Sequence, residues 1–510
     1  MKMKNIFKIT LMVGSLFLVG ACTNLEEELK DTFTEDFDPL NPGLGQSENV
    51  NKATPADGLG AAYGRLRNGS ANHGNYFSVV EISSDEAVIT QKGGDWFDGG
   101  IWLDMHKHLW QSTHPALNGM WNDNYGGISE CNRLIQENTV GAEGIAQLKT
   151  LRALYYWRLM DAFGRVKLVT VPGVDAPQAT RIQAFNFIET ELLAAIPNLL
   201  DGRPAYGRVS KGGAYSLLAR LYLNAEAYTG TPRWQDAIDA SDAVINSGFY
   251  SLSNSYADVF APDNIENIEH IWVIPFDEAT AGGMNFAQMT LHYPSQLTYR
   301  LQQQPWNGYS TLEEFYNSYE AADARRANNF IVGPQTDLDG NPILDLAFDP
   351  ADPDGAAINY TPFVNELAPS GSRQGGARMG KYSFKIGQLP EMDNDYSLFR
   401  YGQILLIKAE AIARLNGNWS EPSALALVNQ VRSRAGVAAF SSMTADQFLA
   451  ERGREMFQES IRRTDLIRFN KWGTAWWEKA AHNNPNLNIF PIPNDQIQAA
   501  GGTLSQNPGY

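Results

Sequence analysis

The sequence predicts a mainly α protein: a tetratricopeptide-like helical-hairpin scaffold carrying one loop-rich, irregular lobe. Three observations predict it. Apolar residues recur at helical spacing through most of the chain. A helix–turn–helix unit occurs twice with the same length. Between the two units, over 250–397, the apolar stripes fade and Gly, Pro, Asn, Asp and aromatic residues rise.

The N-terminus comes first. Lys2, Lys4 and Lys8 precede an uncharged apolar run at 9–21. A basic start with an apolar core too short to span a bilayer reads as a secretory signal. Val19, Gly20 and Ala21 are followed directly by Cys22. That is the pattern of a lipoprotein signal peptide over 1–21, with Cys22 acylated and left as the first residue. A plain signal followed by a chance cysteine is the alternative. Residues 22–50 read as a lipidated tether and lead-in loop. A single domain follows over 51–510: scaffold at about 51–249 and 398–475, lobe at about 250–397, and a C-terminal tail at 476–510.

Composition narrows the function. Cys22 and Cys131 are the only cysteines. A lipidated Cys22 leaves Cys131 without a partner, so stability must come from an apolar core, for which 43% hydrophobic residues suffice. The net charge is −17, and −20 once the three signal lysines are removed. Such a chain is a poor partner for nucleic acid or an anionic membrane face. A second apolar run of membrane-spanning length, a basic patch and a cysteine-pair zinc pattern are all missing from the sequence.

Helices are expected at about 55–68, 116–138, 143–163, 184–200, 211–229, 233–247, 399–416, 422–435 and 444–459. In the first repeat Leu217, Leu218, Leu221, Tyr222 and Ala225 share a face. Gly230 breaks the helix, Thr231 caps the next with Pro232 in its first turn, and Gly248 ends it. In the second, Leu405, Ala409, Ile412 and Ala413 form the stripe, Gly417 breaks it, Pro422 opens the next helix and Gly436 closes it. Ala214 and Gly248 stand 34 positions apart, as do Gly402 and Gly436, which is the tetratricopeptide period. Two unrelated hairpins are the alternative.

Several segments together resemble the SusD/RagB family of outer-membrane nutrient-binding lipoproteins. They are ISSDEAVI with GGDWFDGG (82–100), MWNDNYGGISECNRLI (120–135), LRALYYWRLMDAFGRVKLV (151–169), ARMGKYSFK (377–385), FRYGQILLIKAEAIARLNG (399–417), ERGREMFQESIRRTDLIRF (451–469) and the ending IFPIPNDQIQAAGGTLSQNPGY. The resemblance implies a tetratricopeptide-like scaffold and a glycan- or nutrient-binding face without catalysis; no cofactor is expected, with structural calcium as the alternative. It implies a SusC-like TonB-dependent transporter as partner, with the lipoprotein as its hinged lid at the cell surface. It also implies that Glu26, Glu27 and Glu28, just after the lipidated cysteine, act as a surface-export signal.

The candidate site is aromatic. Sugar C–H faces pack on flat rings while hydroxyls pair with Asp, Asn, Gln and Arg. GGDWFDGG places Trp96 between Asp95 and Asp98, with glycines that push the ring onto a loop. YRLQQQPWNGY (299–309) places Trp306 and Tyr309 beside Gln304 and Asn307. Ligand-binding candidates are therefore Trp96, Asp95, Asp98, Trp306, Asn307 and Tyr309. The competing role for each ring is to plug the lobe into the scaffold. Trp102 begins a more helical segment and is a weaker candidate.

Other polar clusters offer rival chemistries. His106, His108 and His114 read as loop and surface histidines rather than a metal set, because His106 and His108 face apart on a helix. TDLDGNPILD (336–345) suggests calcium, yet Gly340 comes too early for an EF-hand loop. Paired carboxylates, Asp95 with Asp98 or Asp85 with Glu86, would serve a surface glycoside hydrolase, the rival function. A tetratricopeptide-like scaffold binding only protein is the third reading. Glu451, Arg452, Arg454, Glu455, Glu459, Arg462, Arg463 and Asp465 read as arginine–acid pairs that clamp the chain on the preceding repeat, with Asp465 capping the next short helix.

Overall fold

The computed structural model describes residues 57–346 and 355–510, all within one compact unit that begins at Val50. The signal peptide, Cys22, the tether and Glu26–Glu28 lie outside the described residues. The longer helices are α1 (Tyr76–Ile82), α2 (Ile101–Lys107), α3 (Pro115–Glu137), α4 (Gly141–Phe163), α5 (Arg181–Ala195), α6 (Lys211–Leu223), α7 (Trp234–Ile245), α8 (Tyr401–Leu415), α9 (Pro422–Arg434), α10 (Ala445–Met456) and α11 (Arg462–Arg468). No described helix is long and apolar enough to cross a membrane.

Helices α3 to α9 pack as a chain of neighbours, each against the next. The contact between α7 and α8 joins the two sequence repeats, although the whole lobe separates them in sequence. Small residues make this close packing feasible: Ala214, Ala219, Ala225, Ala409 and Ala413 are all fully buried. Helix α4 is the central member, with nearly every side chain from Ala146 to Phe163 buried.

Local chemistry sets most ends. Thr180 and Gln183 form a capping box at α5, as Thr444 and Gln447 do at α10. Pro422 opens α9, and Gly248, at φ +74°, follows α7 in the left-handed region.

Several expected bounds are corrected. The 55–68 helix is only Gly60–Gly64 with a 3-10 turn, Arg65–Arg67. Pro197 converts the end of the 184–200 segment into a 3-10 turn. The 211–229 segment breaks at Asn224, whose amide donates to Arg220 O at 2.8 Å and whose Oδ1 accepts from Arg468 at 2.7 Å. Thr231 and Pro232 stand before α7, which starts at Trp234 and has no side-chain cap.

The lobe is tied to the scaffold by a buried ion network. Arg400 donates to Glu269 at 2.7 Å, Glu455 at 2.6 Å and both oxygens of Glu459. Arg434 also reaches Glu269, and Arg325 reaches Glu451 and Glu455. Glu269 and Arg325 belong to the lobe, so the arginine–acid segment clamps the lobe as well as the repeat. Removing one partner of such a cluster leaves a buried charge uncompensated. Asp465 is not a cap: it lies inside α11 and accepts from Arg452 and Arg468.

Two short antiparallel ladders position the lobe. Strand β1 (Ala87–Ile89) pairs with β3 (Tyr309–Thr311), Ile89 opposite Tyr309; β2 (His270–Ile274) pairs with β4 (Tyr396–Arg400) through an irregular register. In the first ladder the end of β1 and the start of β3 lie at the same edge, because the strands run oppositely. The chain leaving β1 and the chain entering β3 therefore emerge side by side.

Candidate functional site

These two stretches are the loops that carry Trp96 and Trp306. A third segment joins them: Gln91 N donates to Leu367 O at 2.9 Å, Gly371 N to Gln91 O at 2.9 Å and Gly93 N to Pro369 O at 3.0 Å. Lys92 is buried between the loops, its ammonium donating to Thr90 O at 3.2 Å and Gly308 O at 3.1 Å. Burial, with Arg378 nearby, pushes its pKa well below the usual lysine value.

The first loop turns through left-handed backbone at Trp96 (φ +60°), Asp98 (+44°), Gly99 (+70°) and Gly100 (+84°). A tryptophan there is strained and persists only when its surroundings hold it. They do. Trp96 Nε1 donates to Trp306 O at 2.6 Å. The Trp96 ring lies so close to Gly308 that a Cβ there would meet it at 2.3 Å, so glycine is required for the approach.

Around this latch the rings form one cluster. His73 stands 5.1 Å from Trp96, 5.0 Å from Trp102, 5.8 Å from Tyr309 and 6.4 Å from Trp306, centroid to centroid. His73 Nδ1 lies 2.8 Å from the Tyr309 hydroxyl, which lies 2.6 Å from Ser78 Oγ. Burial lowers the His73 pKa to about 4, against a small opposing pull from Asp98, so the ring is neutral near neutral pH.

The sequence-predicted residues separate into surface and support. Trp306 is 37% exposed, and Trp96 is half-buried with Asp95 and Asp98 exposed beside it. Asp95 accepts from the Tyr293 hydroxyl, and Asp98 accepts from Trp102 Nε1 at 3.0 Å. Tyr309 and Asn307 are corrected: both are fully buried, Tyr309 in β3 and Asn307 at φ +58° on the turn into it. Tyr309 holds the loop from beneath through its hydroxyl, and neither residue presents a face outward. Trp102 is also buried, as the first turn of α2.

Sequence reasoning missed four residues here. Phe97, 49% exposed, adjoins Trp96 within the same quoted stretch and shares its signal. His73, Tyr293 and Lys92 carry no local signal, because each joins the site through a long-range contact.

The other polar clusters make their contacts within the fold. His106, His108 and His114 are buried, not on the surface. His106 Nε2 donates to Trp477 O at 2.8 Å and His108 Nε2 to Ser83 O at 2.8 Å, while His114 caps α3 by accepting from Ala116 N. In the acidic loop, Asp337 Oδ1 accepts from Asp339 N and Asn341 N and so shapes its own turn. Asp85 is held by Arg462 through two hydrogen bonds, and Glu86 is fully buried.

The arrangement defines a class: a helical-hairpin scaffold presenting an aromatic face rimmed by carboxylates. Known proteins place it further. Residues 368–510 match the model of the SusD family. The starch-binding protein SusD of Bacteroides thetaiotaomicron is 28% identical over 409 residues, 72% of either chain. A SusD-like protein of Bacteroides ovatus is 25% identical over 445 residues, 78% of either chain. Among solved structures, surface glycan-binding protein A from Bacteroides thetaiotaomicron superposes with a TM-score of 0.73 at 23% identity, covering 89% of this chain and 98% of that one. A SusD superfamily protein from Parabacteroides distasonis gives 0.71 at 22% identity over 89% and 98%. The chain is thus similar to the SusD family in the C-terminal segment that the family model matches, and to SusD and SusD-like proteins over most of its length.

Proposed function

We propose that this protein is a non-catalytic, lipid-anchored surface protein that captures an oligo- or polysaccharide and passes it, as a lid, to a SusC-like TonB-dependent transporter. The observation that carries the reading is the exposed Trp306 ring, whose loop is latched by Trp96 to the neighbouring loop that carries exposed Phe97, Asp95 and Asp98. Flat apolar faces flanked by hydroxyl acceptors suit a saccharide. A relative is named a starch-binding protein, and a structural neighbour was solved with laminarihexaose. Of the two carboxylate pairs that hydrolysis could draw on, Asp85 is held by Arg462 and Glu86 is buried, whereas Asp95 and Asp98 stand exposed on the loop, bonded to Tyr293 and Trp102 and open to sugar hydroxyls.

Affinity electrophoresis of the purified chain in gels cast with laminarin or amylopectin tests this. Retention should be lost in Trp306→Ala, with no new reducing ends released from either glycan. Cleavage of the glycan favours the hydrolase reading. Retention unchanged in Trp306→Ala places the site elsewhere.

A further inference from the structure

The site's polar atoms fall into two sets, those already bonded and those left open. Asp95 and Asp98 each commit one carboxylate oxygen, to Tyr293 and Trp102. The second oxygen of each has no partner among the described residues, and both side chains are exposed. His73 commits Nδ1 to Tyr309 and leaves Nε2 open, among the described residues, at the floor of the ring cluster.

Among the described residues no lysine or arginine forms an ion pair with Asp95 or Asp98. Lys92 is the lysine between the two loops, and its ammonium is buried and turned onto the carbonyls of Thr90 and Gly308. Arg373 pairs with Asp345, and both are buried. The flanking elements carry Lys107 and Arg300, and neither forms an ion pair with Asp95 or Asp98. The imidazole within the cluster adds no positive charge near neutral pH.

We propose that this face selects uncharged glycans and discriminates against those bearing carboxylate or sulfate groups, an inference that rests on the glycan-binding reading above. Carboxylate oxygens accept hydrogen bonds from sugar hydroxyls and strengthen them by their charge. The same oxygens repel an anionic substituent brought to within a few ångströms, and the low dielectric beside the rings increases that repulsion.

The test uses the full chain and matched probes: laminarin and amylopectin, each with its carboxymethyl derivative and, as a control for bulk, its hydroxyethyl derivative. The expected result is retention of a neutral parent and its hydroxyethyl form. The carboxymethyl form should bind more weakly by on the order of tenfold at low salt, and the gap should narrow as salt screens the charges. Asp95→Asn with Asp98→Asn keeps an acceptor oxygen for Tyr293 and Trp102 and should narrow the gap without added salt. Equal or tighter binding of the carboxymethyl form, lost on Trp306→Ala, overturns the selectivity while leaving the site intact. Binding of every form that survives Trp306→Ala overturns the site itself, and the selectivity with it.

Discussion

Trp96 donates its indole N–H to the main-chain carbonyl of Trp306 at 2.6 Å, across 210 positions of sequence. One tryptophan thus holds the loop on which the other is displayed. The two rings have different duties, and substitution should separate them.

Trp306→Ala should weaken glycan binding by about 1–3 kcal/mol, roughly ten- to over a hundredfold, with little change in melting temperature. Trp96→Ala removes a ring, a hydrogen bond and the packing on Gly308. It should lower both affinity and stability, the latter by about 1–3 kcal/mol. Calorimetric binding beside thermal melts reads both. If Trp96→Ala melts normally, the latch is not holding the loop.

Gly308→Ala tests the same contact from the other side. The added methyl would stand 2.3 Å from the Trp96 ring, which must move and give up its bond to Trp306. Affinity should fall by about tenfold through the loss of a preformed site, and intrinsic tryptophan emission should shift. An unaltered affinity with a crystal structure showing Trp96 unmoved contradicts the proposed crowding.

A third prediction concerns pH. Glu81 and Glu86 are fully buried neighbours, and burial raises both above the usual carboxylate value, with Glu81 raising Glu86 further. The folded state then binds more protons than the unfolded state above about pH 4.5, so this pair's contribution makes stability fall as pH rises. Glu86→Gln keeps the shape without the charge. It should melt about 2–6 °C above the wild type at pH 8 and converge with it near pH 4.5. A constant difference at all pH values counts against a titrating pair.

The anchor is tested in cells. Cys22→Ser should lose lipid labelling and leave the membrane fraction. Glu26, Glu27 and Glu28 changed together to Ala should keep the lipid but lose protease accessibility on whole cells. Membrane retention of Cys22→Ser after a salt wash rules out a single anchor, and unchanged surface cleavage of the triple variant rules out the export signal.

The sequence by itself determined the helices and the repeat, because these follow from local spacing and local end chemistry. Thr180 with Gln183, Pro422 and Gly248 act within a few residues of themselves, and the apolar stripes that bury Leu217 or Leu405 recur every three to four positions. It also marked Trp96 and Trp306, since tryptophans among glycines and polar residues stand out in any reading. Tertiary structure decided which rings face outward. Tyr309 lies three residues from Trp306, yet its pairing with Ile89 turns it inward. His73, Tyr293 and Lys92 joined the site only through bonds to distant residues. A strand pairing fixes side-chain direction at both partners at once, and neither partner's own neighbours in sequence carry that information.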